Sequence, residues 1–446
     1  MTFEAAFSSH IYSLPFIGIL LSISLGPILF SDLWHKNYFR FSIFWSLICL
    51  IFLVGKFGFT EVCREWLHMF FHEYIPFILM IAALYTITGG IHMVIKTRAK
   101  ARTNSLLLLI GAILASFIGT TGASMLLIRP FLEMNRYRKY KVHLVIFFIF
   151  LVANIGGSLT PLGDPPLFLG YLQGVPFWWP MENLLLPMMK LLFILIALFW
   201  LVDNYFLAKE HSQPKVRESG ERRIHVSGMR NFPLLLGVII GVWLLGSWKE
   251  APQSGLLDLS WAEIMRDLLL LGLALLSWKI TPGNVRYYNQ YSWEPFKEVA
   301  KLFIGIFTTI IPVIQMLHQG LDGPFSKLLQ LANPGGQPDN TLYFWLTGWL
   351  SAFLDNAPTY LVFFHMAGGD ANVLSTTMSP TLMAISAGAV FMGAMTYIGN
   401  APNFMVKAIA EKQHVKKMPS FFGYMMWSCG ILLPAFAIFC CFFLYG

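Results

Sequence analysis

The sequence predicts an all-α polytopic membrane protein built from two related halves. Of its 446 residues, 56% are hydrophobic and only 12% are charged, whereas soluble proteins carry about 25% charged residues. Its apolar runs reach about 20 residues, the length that spans a bilayer as a helix. Two further apolar segments, 105–128 and 341–364, are interrupted at their centres by Gly, Pro or polar residues. We therefore expect about ten crossings plus two re-entrant helical hairpins.

The apolar runs divide the chain into four parts. Residues 1–74 are predicted to form N-terminal membrane anchor helices, 75–204 the first repeat, 205–231 a basic cytoplasmic linker and 232–446 the second repeat. Because the N-terminus lacks a basic stretch and a clear cleavage site, we expect the first apolar run to be retained. The predicted crossings lie at 13–30, 40–55, 75–95, 142–172, 184–204, 232–248, 267–281, 301–318, 380–410 and 421–445.

Charge and cysteine content argue against two other classes of protein. The net charge is +8, but the Lys and Arg residues lie in short clusters between apolar runs. This pattern is typical of loops on one membrane face rather than of a nucleic-acid-binding surface. The five cysteines form no metal or CxxC pattern and are interpreted as reduced. We expect a multi-pass protein of the cell inner (plasma) membrane, without a cofactor or a nucleic-acid partner.

Loop charge predicts that the two hairpins enter the membrane from opposite sides. Segment 105–128 has four basic residues before it, from Lys96 to Arg102, and five after it, from Arg129 to Lys141. A single crossing has one basic flank, so this segment should enter and leave from the cytoplasm. In the loops around segment 341–364, Lys327 is the only Lys or Arg residue, which predicts a hairpin that enters from outside.

One register relates both hairpins and both broken spans, 142–172 and 380–410. Each hairpin is followed by a span that carries its own break, and a shift of 236 residues aligns the two sets without a gap. Together with the opposite loop charge, this predicts an inverted-topology repeat, from which many secondary transporters are built. The aligned pairs are Phe117 with Phe353, Gly119 with Asp355, Thr120 with Asn356, Gly157 with Gly393, Thr160 with Thr396, Gly163 with Gly399, Asp164 with Asn400, Pro166 with Pro402 and Phe168 with Phe404.

The polar content of these breaks indicates an ion site. Unwound backbone at membrane depth is tolerated only inside protein or beside a wet cavity. Its free carbonyls, with Thr, Ser and Asn oxygens, suit an alkali cation, whereas free amides at helix starts suit an anion. Asp164 and Asp355 favour the cation, because both acids lie within the motifs. Burial disfavours a charged carboxyl group and a bound cation favours it, which gives a physical route to exchange of a cation for a proton.

Each of these residues also has a structural interpretation. Asp355 fits a helix N-cap at the hairpin tip, a role compatible with ion binding, and Asp164 fits an ordinary turn. His92, His318 and His365 lie near span ends, where an interfacial or structural role is favoured over a proton relay.

Four stretches carry a resemblance to a known family: Phe117–Pro130 (FIGTTGASMLLIRP), Asn154–Pro166 (NIGGSLTPLGDPP), Leu354–Thr359 (LDNAPT) and Thr396–Asn403 (TYIGNAPN). There the sequence resembles the ion transporter superfamily, and within it the NhaD-type sodium/proton antiporters and citrate-transporter-like proteins. The resemblance covers about residues 75 to 445. It implies two inverted repeats and a homodimer. The Ser-Asn-Thr pattern of dicarboxylate carriers is absent from both hairpin tips, which favours the antiporter branch.

The resemblance also implies that hairpin tips and helix breaks bind sodium and substrate, with a sodium site at the two motif pairs. Asp164 and Asp355 are then the proton and cation carriers. The other positions implied to bind cation or substrate are Thr120, Thr121, Gly122, Ser124, Asn154, Ser158, Thr160, Gly163, Asn356, Ala357, Thr359, Thr396, Gly399 and Asn400.

The leading hypothesis is a secondary active transporter that exchanges sodium or lithium for protons by alternating access. The alternative is a sodium-coupled symporter of citrate or another carboxylate, and an oxyanion exporter is a third option. An enzyme is disfavoured. Pro161 precedes Asp164 where presenilin-type proteases carry the first Gly of Gly-x-Gly-Asp, and His72-Glu73 lacks the second His of the zinc-protease motif.

Overall fold

Helices account for most of the described chain. Runs rich in Leu, Ile and Phe form helices because lipid requires every backbone polar group to be paired within the segment. Within the part of the chain that is described, eight helices are long and apolar enough to cross a membrane. The prediction of an all-α polytopic membrane protein is confirmed. The computed structural model describes residues 7, 9–97, 99–210, 223–248, 253, 258–413, 415 and 417–444.

The helices are numbered in chain order. The first ten are α1 (Leu14–Leu29), α2 (Ser31–Phe57), α3 (Phe59–Met69), α4 (Ile75–Thr88), α5 (Ala101–Ile118), α6 (Thr120–Met134), α7 (Val142–Leu151), α8 (Pro165–Leu172), α9 (Trp179–Ala208) and α10 (Phe232–Gly246). The others are α11 (Trp261–Ile280), α12 (Gly283–Tyr288), α13 (Glu294–His318), α14 (Ser326–Ala332), α15 (Asn340–Leu354), α16 (Asn356–Met366), α17 (Ala371–Ser375), α18 (Ser379–Met392), α19 (Ala401–Lys412) and α20 (Phe421–Phe443).

The crossing predicted at 75–95 begins earlier and ends sooner than expected. A π-helical turn, Phe70–Tyr74, joins α3 to α4, so one helical segment runs over Phe59–Thr88. The polar residues His72 and Glu73 lie in this turn and obscured the apolar run in the sequence. The segment stops at Gly89 and Gly90, after which the chain becomes extended.

Each predicted hairpin is a pair of helices with a single residue between them. Gly119 separates α5 from α6, and Asp355 separates α15 from α16. Both residues have positive φ, 82° for Gly119 and 107° for Asp355. A positive φ turns the backbone out of the helix, and the two helices of each pair then pack against each other.

Each predicted broken span is also interrupted as expected. A 3-10 turn, Ile155–Ser158, and an irregular stretch separate α7 from α8. A 3-10 turn, Gly393–Met395, and a second irregular stretch separate α18 from α19. Asp164 and Asn400, 236 residues apart, each occupy the residue before the second helix with extended backbone.

The two halves contact each other through these elements. Helix α6 of the first hairpin packs against α19, and α16 of the second hairpin packs against α8. The 236-residue register matches α6 with α16 and α8 with α19, so it relates the two contacts to each other. The observed packing therefore follows the register found in the sequence, while the opposite orientation of the halves and their boundaries at 75–204 and 232–446 stay predictions.

A short β-ladder lies where the sequence predicted a span end and a solvated linker. Strand β1 (His92–Lys96) pairs antiparallel with β2 (Arg223–Ser227). The Asn289 side chain helps to hold the bend before β1, since its Nδ2 donates hydrogen bonds to Gly89 O and Ile91 O. Local patterning does not show this pairing, because the strands are about 130 residues apart in the chain. Residues 211–222 of the predicted linker lie outside the described residues.

Arg129 was expected in the loop after the first hairpin but lies inside helix α6, which continues to Met134. Pro130 follows Arg129 and did not end the helix as a sequence rule would suggest. The guanidinium group is half-buried, and its Nε and Nη1 atoms have no hydrogen-bond partner in the described structure.

Candidate functional site

The carboxylate of Asp164 is the point at which both hairpins and both broken helices meet. Asp164 is 1% exposed. Its Oδ1 accepts hydrogen bonds from Thr120 Oγ1 at 2.8 Å and Asn400 Nδ2 at 2.9 Å. Its Oδ2 accepts one from Asn356 Nδ2 at 2.5 Å. Thr120 begins α6, Asn356 begins α16 and Asn400 precedes α19, so this single carboxylate joins the other three motifs.

The chain around Asp164 is unwound for identifiable steric reasons. Pro165 opens helix α8, a position where proline is well tolerated, and restricts the residue before it to extended backbone. The carbonyl of Gly163 accepts a hydrogen bond from Thr120 N at 2.8 Å. A Cβ at Gly163 would collide with the carbonyl oxygen of Gly157. Glycine is therefore required where the two parts of the break approach each other.

Asp355 adopts a backbone conformation that side chains rarely tolerate. Its φ and ψ are 107° and 138°, outside the left-handed helical region and in a region used almost only by glycine. Its Oδ1 accepts a hydrogen bond from Ala357 N at 3.2 Å, so the expected N-cap is present. The carboxyl group also interacts electrostatically with Asp164. Strain of about 1–3 kcal/mol at such a position is characteristic of functional sites.

Three asparagines connect the two broken helices. Asn400 Nδ2 donates to Asn154 Oδ1 at 3.3 Å, and Asn154 Nδ2 donates to Asn403 Oδ1 at 2.7 Å. Asn403 Nδ2 donates to the carbonyl oxygens of Gly393 and Thr396, at 2.8 and 2.9 Å. This network pairs carbonyl groups that the break leaves without helical partners. It also fixes the Asn400 side chain that contacts Asp164.

In each half, one threonine joins the hairpin to the broken helix. Thr160 Oγ1 donates a hydrogen bond to the carbonyl of Ser116, and Thr396 Oγ1 donates to the carbonyl of Ala352. These bonds are related by the 236-residue shift at both ends. Since both hydroxyl groups are engaged with backbone, Thr160 and Thr396 support the site rather than reach its carboxylate.

The structure brings together Asp164, Thr120, Asn356, Asn400 and Asn154 among the residues implied by the resemblance, and places the Asp355 carboxyl group close by. Several of the others make different contacts. A Cβ at Gly122 would meet Thr88 on α4, so this side of α6 packs against α4. The hydroxyl groups of Ser158 and Thr359 bond to nearby backbone, at Ile155 and Asp355. The remaining positions, Thr121, Ser124, Ala357 and Gly399, lie in the first turns of α6 and α16 or in the second break.

Sequence reasoning missed Asn403 and Ser116 as parts of the site. Asn403 lies within the stretch that carries the resemblance, but the register aligns it with Leu167, so the repeat gave no reason to select it. Ser116 Oγ donates to Gly156 O at 2.5 Å and accepts from Leu159 N at 3.2 Å. The position of Ser116, a polar residue one turn before the hairpin tip at Gly119, could have indicated its role.

The cluster offers hard oxygen atoms in a buried setting. Asn356 Oδ1 is buried without a hydrogen-bond partner in the described structure, and the amide nitrogen of the same side chain donates to the Asp164 carboxylate. The ion pairs of the described residues lie elsewhere, as in the buried contacts of Arg138 with Asp203 and Glu210. Carboxylate, amide and carbonyl oxygens are the ligands that replace the water shell of a hard cation.

A helical membrane protein whose polar site is made from two hairpin tips and two helix breaks has the architecture of a secondary transporter. Residues 5–444 match the family described as "Putative citrate transport". The chain therefore belongs to this citrate-transporter-like family, whose members are transport proteins. A search of curated proteins found none that matches the chain.

Proposed function

We propose that this transporter exchanges sodium or lithium for protons, with Asp164 and Asp355 as the groups that carry the proton or the cation in turn. The observation that supports this most strongly is the position of Asp164. Its carboxylate contacts Thr120, Asn356 and Asn400, which belong to both halves. A change in its charge therefore acts on hydrogen bonds that join its own break to both hairpins and to the other break.

The electrostatic reasoning starts from the cost of burial. A buried charge is unfavourable unless it is paired or hydrogen-bonded, and here the pairing comes from three neutral donors rather than from Lys or Arg. A sodium ion bound beside the carboxylates would supply the missing positive charge. A proton on either carboxyl group would remove the need for it. Competition between the two ions for the same carboxyl groups, combined with alternating access, couples their exchange.

Alternating access requires an element that moves between two arrangements. The hydrogen bonds of Asp164 to Asn356 and Asn400 cross the contact between the two halves. We propose that these bonds are remade when the halves move and that the site then opens to the other side. The inverted relation of the repeats makes the two end states equivalent in form. A homodimer is part of the same proposal.

The experiment is sodium-dependent proton flux in proteoliposomes that contain a pH-sensitive dye. Wild-type protein should alkalise or acidify the lumen according to the direction of the sodium gradient. Asp164→Asn and Asp355→Asn should each abolish the signal, while sodium-independent leak stays unchanged. Asp370→Asn is the matched control, because Asp370 is an exposed acid that caps α17 and asparagine caps equally well. Normal flux in both site variants would refute the assignment.

Sodium-coupled uptake of citrate is the second candidate, and the family description favours it. The described structure offers one cationic group on a hairpin helix with open donors, Arg129. It lies nine residues beyond Thr120, about 14 Å along the helix axis. This separation places Arg129 away from the hairpin tip at which Thr120 contacts Asp164. Labelled citrate accumulation driven by a sodium gradient, lost in Arg129→Gln, would favour this function over antiport.

A further inference from the structure

Two histidines that the sequence placed separately near span ends form a hydrogen-bonded pair. His318 ends helix α13, and His365 lies in the last turn of α16. Their Nε2 and Nδ1 atoms are 2.9 Å apart. His318 is exposed, whereas His365 is 5% exposed. The pair therefore connects the protein surface to a buried position.

The second ring nitrogen of His365 is the informative atom. His365 Nε2 is buried and has no hydrogen-bond partner in the described structure. A buried polar atom without a partner is unfavourable, so a purely structural histidine would be expected to use both nitrogens. Here one nitrogen meets an exposed histidine and the other is open to the interior.

We propose that His318 and His365 form a proton relay between the predicted outer surface and the carboxyl groups of the transport site. This rests on the proposed function and adds the route by which its protons arrive. A protonated His318 gives the proton on its Nε2 to His365 Nδ1, so one N–H bond breaks as the other forms. His365 then releases the proton that it carries on Nε2 toward the interior. Rotation of the ring restores the acceptor for the next proton.

The direction of the relay follows from helix α16. This helix begins at Asn356, beside the Asp164 carboxylate, and His365 lies nine residues further on, about 14 Å along the axis. Gln315 lies one turn before His318 on α13, the helix that packs against α16. Its Oε1 is a further buried atom without a partner among the described residues. These two atoms lie at the outer end of the proposed route, and water molecules would have to complete it inward.

Few titratable side chains lie on the helices that pack against α16, the helix of His365. Helices α8, α13, α15 and α18 pack against α16. Tyr343 on α15 donates its hydroxyl to Met366 O at 3.4 Å. The Asp370 carboxylate accepts from the amides of Asn372 and Val373 instead. The other titratable residues of these helices are Tyr171 on α8 and, near the opposite end of α13, Glu294, Lys297, Glu298 and Lys301, while α18 has none.

The test separates proton movement from sodium movement. His365→Gln should lower sodium/proton exchange in proteoliposomes by roughly 10²-fold, the usual effect of losing a proton-transfer group. Exchange of radioactive for unlabelled sodium, which needs no proton, should stay within about twofold. His225→Gln, in strand β2, is the matched control and should change neither. An equal fall in both exchange modes, or no fall in either, would overturn the relay.

The exposed partner gives a second, independent test in case His365→Gln fails to fold. His318→Ala should show the same selective loss, and imidazole added on the outer side should restore the proton flux. Failure of imidazole rescue in a folded His318→Ala protein that had lost proton flux would argue against the relay. Wild-type protein that moves neither sodium nor protons would refute the proposed function itself, a result distinct from normal sodium/proton exchange in both histidine variants.

Discussion

Replacing Asp355 by glycine should make the protein more stable and at the same time inactive. At φ 107° and ψ 138° the Asp355 side chain strains the backbone by about 1–3 kcal/mol, and glycine removes that strain. The lost N-cap bond to Ala357 costs only a few tenths of a kcal/mol when glycine replaces the capping residue. The net effect is a stabilisation of about 1–2 kcal/mol.

Alanine at the same position provides the comparison. Asp355→Ala keeps the Cβ and therefore the strain, and it loses the cap at a cost of about 0.5–2 kcal/mol. The free energy of unfolding of the glycine variant should thus exceed that of the alanine variant by about 2–3 kcal/mol. The matched change in the first half is Gly119→Ala, at φ 82°, which should destabilise by about 1–3 kcal/mol.

The assay is thermal unfolding in detergent, followed by tryptophan fluorescence, alongside sodium-dependent proton flux. All three variants at Asp355 and Gly119 are measured at the same protein and detergent concentrations. We expect the apparent midpoint to rise for Asp355→Gly and to fall for the two alanine variants. A lower midpoint for Asp355→Gly than for the wild type would refute the strain argument. Retained proton flux in Asp355→Gly would refute the role of its carboxyl group.

Three further changes test the supporting structure. Asn403→Leu introduces the residue that the first half has at the matching position, Leu167. It leaves buried carbonyl groups unpaired, at a cost of about 1–3 kcal/mol each. The thermal unfolding midpoint and the affinity for sodium should both fall. Gly163→Ala puts a methyl group against the Gly157 carbonyl. It should abolish sodium binding, measured by calorimetry, while the protein is still expressed. Asp203→Asn leaves Arg138 buried with one carboxylate instead of two and should destabilise by about 3–5 kcal/mol, seen as a lower unfolding midpoint.

The sequence predicted the helical membrane fold and the four interruptions because both depend on local chemistry. Apolar length specifies a span, and Gly or Pro at its centre specifies a break. The 236-residue register also anticipated which positions would correspond, as the hydrogen bonds of Thr160 and Thr396 show. These features need no knowledge of what lies across the bundle.

The remaining features depend on contacts between distant segments. The role of Asn403 follows from the carbonyls that face it, which no local pattern encodes. The pairing of His318 with His365 depends on how α13 packs against α16. The ladder between His92–Lys96 and Arg223–Ser227 joins two short segments with no strand signal of their own. In each case the partner comes from a segment that is distant in the chain, and a local pattern does not identify it.

The most direct test of the central claim is proton release on sodium binding. Purified protein in weakly buffered detergent solution is mixed with sodium chloride, and the released protons are followed with a pH indicator, with potassium chloride as the control salt. If sodium and protons compete for the Asp164 and Asp355 carboxyl groups, the wild type should release protons with sodium only, and the double variant Asp164→Asn/Asp355→Asn should release none. Sodium binding without proton release, or unchanged release in the double variant, would contradict the account.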